Sequence, residues 1–238
     1  MYNLQHKAAI QDFCSTRKIE VLVHFTRMEN LAGILKEGLV PRASLEARTC
    51  RPIFNDQIRR DGHKDAVCLS VSFPNYRMFY KYRCADQTST WSVLLIKPDV
   101  LWEFDCAFCW TNAANSAIIR QPLAILKESS ALRRMFTDRC EITGVNRADC
   151  QIPDKFPTDP QAEVLVFSHI PLSFITGVTF PDAWAQAKYY GPHQQIVPAS
   201  FGVNSAYFRP RCDWEIWRPT TETNRGDEWQ EDLSSIPF

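Results

Sequence analysis

Val164, Leu165, Val166 and Phe167 are four apolar side chains in unbroken succession, directly after Gln161-Ala162-Glu163. A strand that is apolar on both faces has to lie inside a sheet. Residues 161–170 are therefore read as a central strand, and Asp149 to Pro160, with three prolines and little apolar content, as the loop that feeds it. Glu163 stands at the mouth of this strand. A carboxylate there is costly to bury unless its charge is used or paired; the competing reading is a surface carboxylate at a strand start.

The other elements fall around that strand. Glu20 to Phe25 is β-rich and ends in His24-Phe25-Thr26, after which Met28, Leu31, Leu35 and Leu39 follow a helical stripe. Thr26 and Glu29 fit a capping box, and Gly38 supplies the stop. This strand, turn and helix would set His24 and Thr26 beside exposed helix amides, a place suited to a polar or anionic ligand. Pro41 to Lys64 is a long polar excursion rich in Arg, with one short helix expected around Asp56 to Arg60; a loop of that length in a compact domain points to function. Further strands are expected over 66–73, 91–96, 175–180 and 203–208, and helices over 76–83 and within 123–136. The tail over 220–235 is polar. With no repeat and no linker, 238 residues read as one α+β domain.

Composition removes several function classes. The 27 basic and 27 acidic side chains cancel, so nucleic acid can be held only by a local patch. Gly33 and Gly38 have phosphate-loop spacing but are followed by Leu39 and Val40, which excludes a P-loop, and no GxGxxG is present. Nine scattered cysteines with a lone Cys106-x-x-Cys109 fit neither a disulfide framework nor a zinc site, so no metal is expected. The N-terminus lacks a hydrophobic signal core and the apolar runs are too short for a bilayer, so a soluble cytoplasmic protein is expected.

His24-Phe25-Thr26 with Glu29-Asn30-Leu31, then Ile58-Arg59-Arg60-Asp61, Leu69-Ser70-Val71-Ser72-Phe73-Pro74-Asn75-Tyr76 with Met78-Phe79-Tyr80, and Pro160-Gln161-Ala162-Glu163-Val164 before Ile170-Pro171 run in one order over about residues 20–180. Together they resemble the DarT family of nucleic-acid ADP-ribosyltransferases. The Ser-Phe-Pro-Asn-Tyr block is similar to one branch of it, not the branch best known for thymidine, which leaves the base open between guanine and thymine. The resemblance implies an ADP-ribosyltransferase fold, a split β-sandwich core with flanking helices and a cleft between two sheets. It implies NAD as co-substrate, Glu163 as the catalytic glutamate and either Arg59 or Arg60 as the catalytic arginine. His24, Thr26 and Asn30 would hold NAD, with Phe25, Leu31, Ser70 and Tyr80 as further cofactor-binding positions. A toxin of a toxin-antitoxin or phage-defence system, partnered by an antitoxin, is implied as well.

The residue types suit that chemistry independently. Breaking the bond from ribose C1 to nicotinamide passes through an oxocarbenium-like state, which a fixed carboxylate stabilises. Glu163 could also take a proton from the attacking base, and a guanidinium could clamp a pyrophosphate or orient the base. For an unpaired strand, Tyr76, Arg77, Lys81 and Arg83 interleave cations with aromatics, as do Arg209 and Arg211 with Tyr207, Phe208, Trp214, Trp217 and Arg218. The plainer reading of the first segment is an amphipathic helix with Phe79 and Tyr80 in the core. The target base has to be single-stranded or extrahelical. Two other functions stay open from sequence: the same transfer onto RNA, and a catalytically silent nucleic-acid or protein binding module.

Overall fold

The computed structural model describes residues 4–48, 52–56, 58–193 and 200–217. The polar tail and Arg218 lie outside them. A seven-stranded sheet carries the fold: β1 (Leu22–Arg27), β2 (Val67–Val71), β3 (Trp91–Ile96), β4 (Cys106–Cys109), β5 (Glu163–Val166), β6 (Ile175–Phe180) and β7 (Ser200–Val203). Their order across the sheet is β4-β5-β2-β1-β3-β6-β7. Neighbours are antiparallel except β6 and β7, which run parallel.

The helices are α1 (Leu4–Arg17), α2 (Leu31–Glu37), α3 (Arg42–Glu46), α4 (Tyr76–Ala85), α5 (Val100–Glu103), α6 (Ser116–Ile119), α7 (Leu123–Leu126), α8 (Ser129–Arg134) and α9 (Ala183–His193). The main core joins α1, α2, α5 and α8 to the sheet through side chains such as Ile10, Leu35, Leu101, Leu132 and Val164. A smaller cluster of Val23, Phe79, Trp91, Val93 and Phe208 seats α4. Among the described residues no helix is long and apolar enough to cross a membrane.

The expected central strand is β5, held between β4 and β2 with all four residues buried. The split lies between β1 and β2. Those strands share only the pairs Leu22↔Val71 and Val23↔Ser70, whereas β1 pairs β3 along its whole length, from Leu22↔Ile96 to Arg27↔Trp91. Past Val23 the two halves of the sheet part, and a cleft opens. Gly38 ends α2 at φ 90°, where an added Cβ would sit 2.2 Å from the Ile170 carbonyl oxygen; Leu39 and Ile170 exchange backbone hydrogen bonds of 2.9 Å there. Only glycine fits that approach.

Several local expectations are corrected. Thr26 does not cap a helix: pairing with β3 keeps it extended, a 3-10 turn over Met28–Asn30 intervenes, and neither that turn nor α2 has a side-chain cap. The excursion's helix is α3, not 56–60: the Asp56 carboxylate accepts the amides of Ile58 (3.0 Å) and Arg59 (3.1 Å), but Arg59 takes a left-handed φ of 50°, which a right-handed helix excludes. The strand expected over 203–208 is β7, which starts three residues earlier and ends at Val203, followed by a 3-10 helix over Ser205–Phe208 that Asn204 caps through the Ala206 amide at 3.1 Å. Helix α1 and strand β4 were not anticipated. Cys106 and Cys109 stand three residues apart on β4, so their side chains leave opposite faces. Among the described residues no three His, Cys, Asp or Glu side chains gather as a metal site.

Candidate active site

The cleft has a volume of about 800 Å³, and its lining includes His24, Thr26, Asn30, Arg59, Ser70 and Glu163. Strand register places them. The β2–β5 pairing ends at Leu69↔Val164, so the next position sets Ser70 beside Glu163, and Ser70 pairs Val23 on its other side. Val23, Ser70 and Glu163 thus form one row across the sheet. His24 is one residue further, where β1 has left β2.

Glu163 is 7% exposed. Its Oε2 accepts the Ala113 amide at 2.9 Å, and its Oε1 accepts Asn75 Nδ2 at 3.4 Å. Burial pushes the carboxyl up to about 7, against the downward pull of those two hydrogen bonds. Asn75 is held at both ends: its Oδ1 caps α4 by accepting the Met78 amide at 3.2 Å, and its backbone N–H donates to Ser70 Oγ at 3.2 Å. Asn75 directly precedes the helix expected over 76–83, and nothing in the sequence marks its side chain as one that also holds the glutamate. Ala113 was missed because a backbone N–H has no signature in sequence.

His24 Nδ1 lies 2.8 Å from the Cys68 carbonyl oxygen, which can only accept, so Nδ1 carries the hydrogen. Burial lowers the pKa of the ring, more than the Cys68 bond raises it. A neutral imidazole then offers Nε2 as an acceptor, and that nitrogen has no partner among the described residues. Thr26 Oγ accepts from Asn30 Nδ2 at 3.1 Å. The same amide donates to the Ile53 carbonyl and its oxygen accepts the Ile53 amide, each at 2.9 Å, which ties the excursion to the cleft edge. Phe25 lines the cleft and stacks on Phe79 with ring centroids 4.5 Å apart.

Geometry separates the two arginines. Arg59 lines the cleft, has a left-handed φ of 50°, and forks onto Asp61 through Nε (2.9 Å) and Nη2 (2.8 Å), with further donation to the carbonyls of His63 and Ala66. Arg60 is exposed and is not part of the lining.

Three positions require correction. Leu31 is fully buried in the core and contributes no cleft surface. Tyr80 projects on the far side of α4 from Met78 and Tyr82, which are the α4 side chains that line the cleft. Arg211 is 2% exposed, its Nε bonds Asp213 at 2.6 Å with Nη2 pairing the same carboxylate, and it donates to the carbonyls of Pro157 (2.8 Å) and Thr158 (3.1 Å). Four of its five N–H donors are used inside the protein and the side chain lines neither cavity, so burial keeps it from a phosphate. Tyr76, Arg77, Arg83 and Arg209 gather in a second, smaller notch, and Lys81 is exposed on α4.

Residues 23–209 match the family described as ssDNA thymidine ADP-ribosyltransferase, DarT. The chain belongs to the DarT family. DarT proteins are NAD-dependent ADP-ribosyltransferases, with NAD as co-substrate. Solved DarT structures share the fold. One is Thermosipho africanus DarTG in complex with ADP-ribose, at 15% identity and a TM-score of 0.57, over 79% of this chain and 51% of that one. This chain therefore spans about half of that longer protein. Thermus sp. 2.9 DarT in complex with carba-NAD+ matches at 14% identity and a TM-score of 0.55, over 81% of this chain and 99% of that one. The same Thermus protein with ADP-ribosylated ssDNA matches at 14% identity and 0.52, over 81% and 97%. No curated protein matches the sequence.

The donor set suits the DarT co-substrate. A dinucleotide needs an elongated cavity in the upper part of the usual ligand range of about 300–1,000 Å³, and this cleft has that size. The lining combines the buried carboxylate of Glu163, the guanidinium of Arg59 and the acceptor nitrogen of His24.

Proposed function

We propose that this chain transfers one ADP-ribose unit from NAD to a nucleobase, guanine or thymine, in single-stranded DNA. The observation that carries the reading is Glu163, a buried carboxylate held by Asn75 and the Ala113 amide in the same cleft as His24 and Arg59. In the reaction the bond between ribose C1 and the nicotinamide nitrogen breaks, nicotinamide leaves with the electron pair, and a base nitrogen forms the new bond to C1. Glu163 stabilises the sugar cation electrostatically from a site already desolvated, so its charge is little screened by water. It then accepts the proton that the base nitrogen gives up, which its position near pKa 7 suits. His24 holds a ribose hydroxyl on Nε2. Arg59 sets the pyrophosphate or the incoming base, fixed by Asp61 and the His63 and Ala66 carbonyls. Asn75 and the Ala113 amide keep the carboxylate plane in one orientation.

Family membership supports a role as a toxin of a toxin-antitoxin or phage-defence system, acting in the cytoplasm with an antitoxin that neutralises or reverses the modification. The test is mass spectrometry of digested oligonucleotides after reaction with NAD. DNA is expected to gain the mass of one ADP-ribose on a single base type, matched RNA to gain none, and Glu163→Ala to leave DNA unmodified while still binding NAD. Label on RNA alone, or equal background for wild type and Glu163→Ala, overturns the reading. Expression of the wild type, but not of Glu163→Ala, is expected to arrest growth.

A further inference from the structure

Helix α4 has two working sides. Met78 and Tyr82 look into the cleft, while Tyr76, Arg77, Tyr80 and Arg83 join Phe208, Arg209 and Pro210 around a notch on the opposite side. The notch measures about 40 Å³, room for roughly three water molecules and far too little for a base. It is lined by three guanidinium groups and no carboxylate, in a chain whose charges sum to zero.

Arg83 is the unusual member. Its guanidinium lies over the Phe79 ring at 5.0 Å and the Tyr80 ring at 5.9 Å, yet its Nε is buried without a hydrogen-bond partner. No ion pair to Arg83 occurs among the described residues, and burial lowers its pKa. A buried, unpaired donor on a cation costs stability, so its retention calls for an explanation, and an anion seated beside the guanidinium is one that its place in the notch allows. Phe79 and Phe208, 5.5 Å apart, fix the floor on which Arg83 lies, so the charge is preorganised.

We propose that this notch binds a backbone phosphate of the single-stranded nucleic acid whose base enters the cleft on the other side of α4. A phosphate is the anion that matches both the size and the three guanidinium donors. The span from notch to cleft is one helix diameter, about 10–12 Å, which an unpaired strand crosses while leaving its target base free to turn inward. Tyr80, half-buried in the lining, supplies an aromatic face for a neighbouring base. The proposal rests on the nucleic-acid acceptor assigned above.

The test is binding of a fluorescent single-stranded DNA of about twelve nucleotides across a salt series, with label transfer from NAD measured separately. Arg83→Ala is expected to weaken binding several-fold and to make the slope of log K against log salt shallower by about 0.7, the share of one phosphate on a single strand. Arg83→Lys restores the slope by restoring the charge, which a merely structural role does not predict. Arg209→Ala, at an exposed side chain, is expected to act in the same direction, and one neutral methylphosphonate linkage in the DNA should reproduce the loss with the wild-type protein. Should Arg83→Ala fail to fold, those last two measurements decide. Identical slopes for wild type, Arg209→Ala and every methylphosphonate position overturn the proposal, as does a wild type that binds no DNA at low salt. Shallower slopes with unlabelled DNA leave the notch standing and reject the transferase reading; labelled DNA with unchanged slopes does the reverse.

Discussion

Replacing Glu163 by glutamine should make the protein more stable at alkaline pH while abolishing its chemistry. The carboxyl moves from an ordinary 4.5 to about 7 on folding because burial penalises its charge. Below pH 4.5 it is protonated in both states and contributes nothing. Between 4.5 and 7 the unfolded chain releases the proton while the folded chain keeps it, so stability falls as pH rises. Above 7 the full penalty stands, roughly 2.5 units at about 1.36 kcal/mol each, or about 3 kcal/mol. Glutamine carries no charge. It can still accept the Ala113 amide, but its NH₂ loses the weak bond from Asn75, worth about 0.5–1 kcal/mol. The variant should therefore equal the wild type, or fall just below it, at pH 4.5, and exceed it by about 2 kcal/mol at pH 8.5. As a melting temperature, the gap between the two proteins should change by about 6–12 °C across that range. Asp159, another buried carboxyl raised by desolvation, is present in both proteins and cancels in the difference. Thermal melts of both proteins at half-unit pH steps make the measurement. A gap that stays constant from pH 4.5 to 8.5 refutes the claim that Glu163 is held in a charge-averse site.

The same titration predicts that kcat/KM for transfer rises through about pH 7 as Glu163 ionises in the free enzyme; a plateau already complete at pH 5 would show that another group sets the rate. Arg59→Ala leaves the Asp61 carboxylate, 6% exposed, without its partner, so denaturant unfolding should show a loss of about 3–5 kcal/mol together with loss of transfer. Arg60→Ala should stay within about 0.5 kcal/mol and keep transfer, and equal effects of the two changes would reverse the assignment. Arg211→Ala removes the buried counter-charge of Asp213 and the donors to the carbonyls of Pro157 and Thr158, and a loss of about 3–5 kcal/mol in urea is expected; a neutral result would mean that Arg211 is not the clamp on the loop preceding Glu163.

What could be read from the sequence follows from where periodicity exists. Strands β1, β2, β3, β5 and β6 announce themselves by β-branched and apolar runs, and Glu163 by its place at the head of one of them. Arg59 lies in an aperiodic stretch, so nothing local separates it from Arg60; a left-handed φ and a ring of carbonyl acceptors do so only after folding. Arg211 was misread because an arginine among aromatics looks alike whether it meets a phosphate or Asp213. The resemblance implied Tyr80 at the cofactor, but helical phase decides against it: with Phe79 inward, positions 78 and 82 share one side and 76, 80 and 83 the other.

The split itself has a residue-level cause that sequence could hint at but not prove. In an unbroken antiparallel ladder the Cys68 carbonyl, turned toward β1, would take a backbone N–H, and parting the strands leaves that acceptor in a half-buried place. The His24 ring fills the gap by donating Nδ1–H to it. Satisfying the broken ladder thereby fixes the tautomer and turns Nε2 into an acceptor for the cleft. One side chain both permits the opening of the sheet and supplies a binding group to the cavity so formed. A replacement that merely fits the space would leave the carbonyl orphaned, and one that caps it without a second nitrogen would leave the cleft without its acceptor. The demands of the fold and of the site converge on the same imidazole.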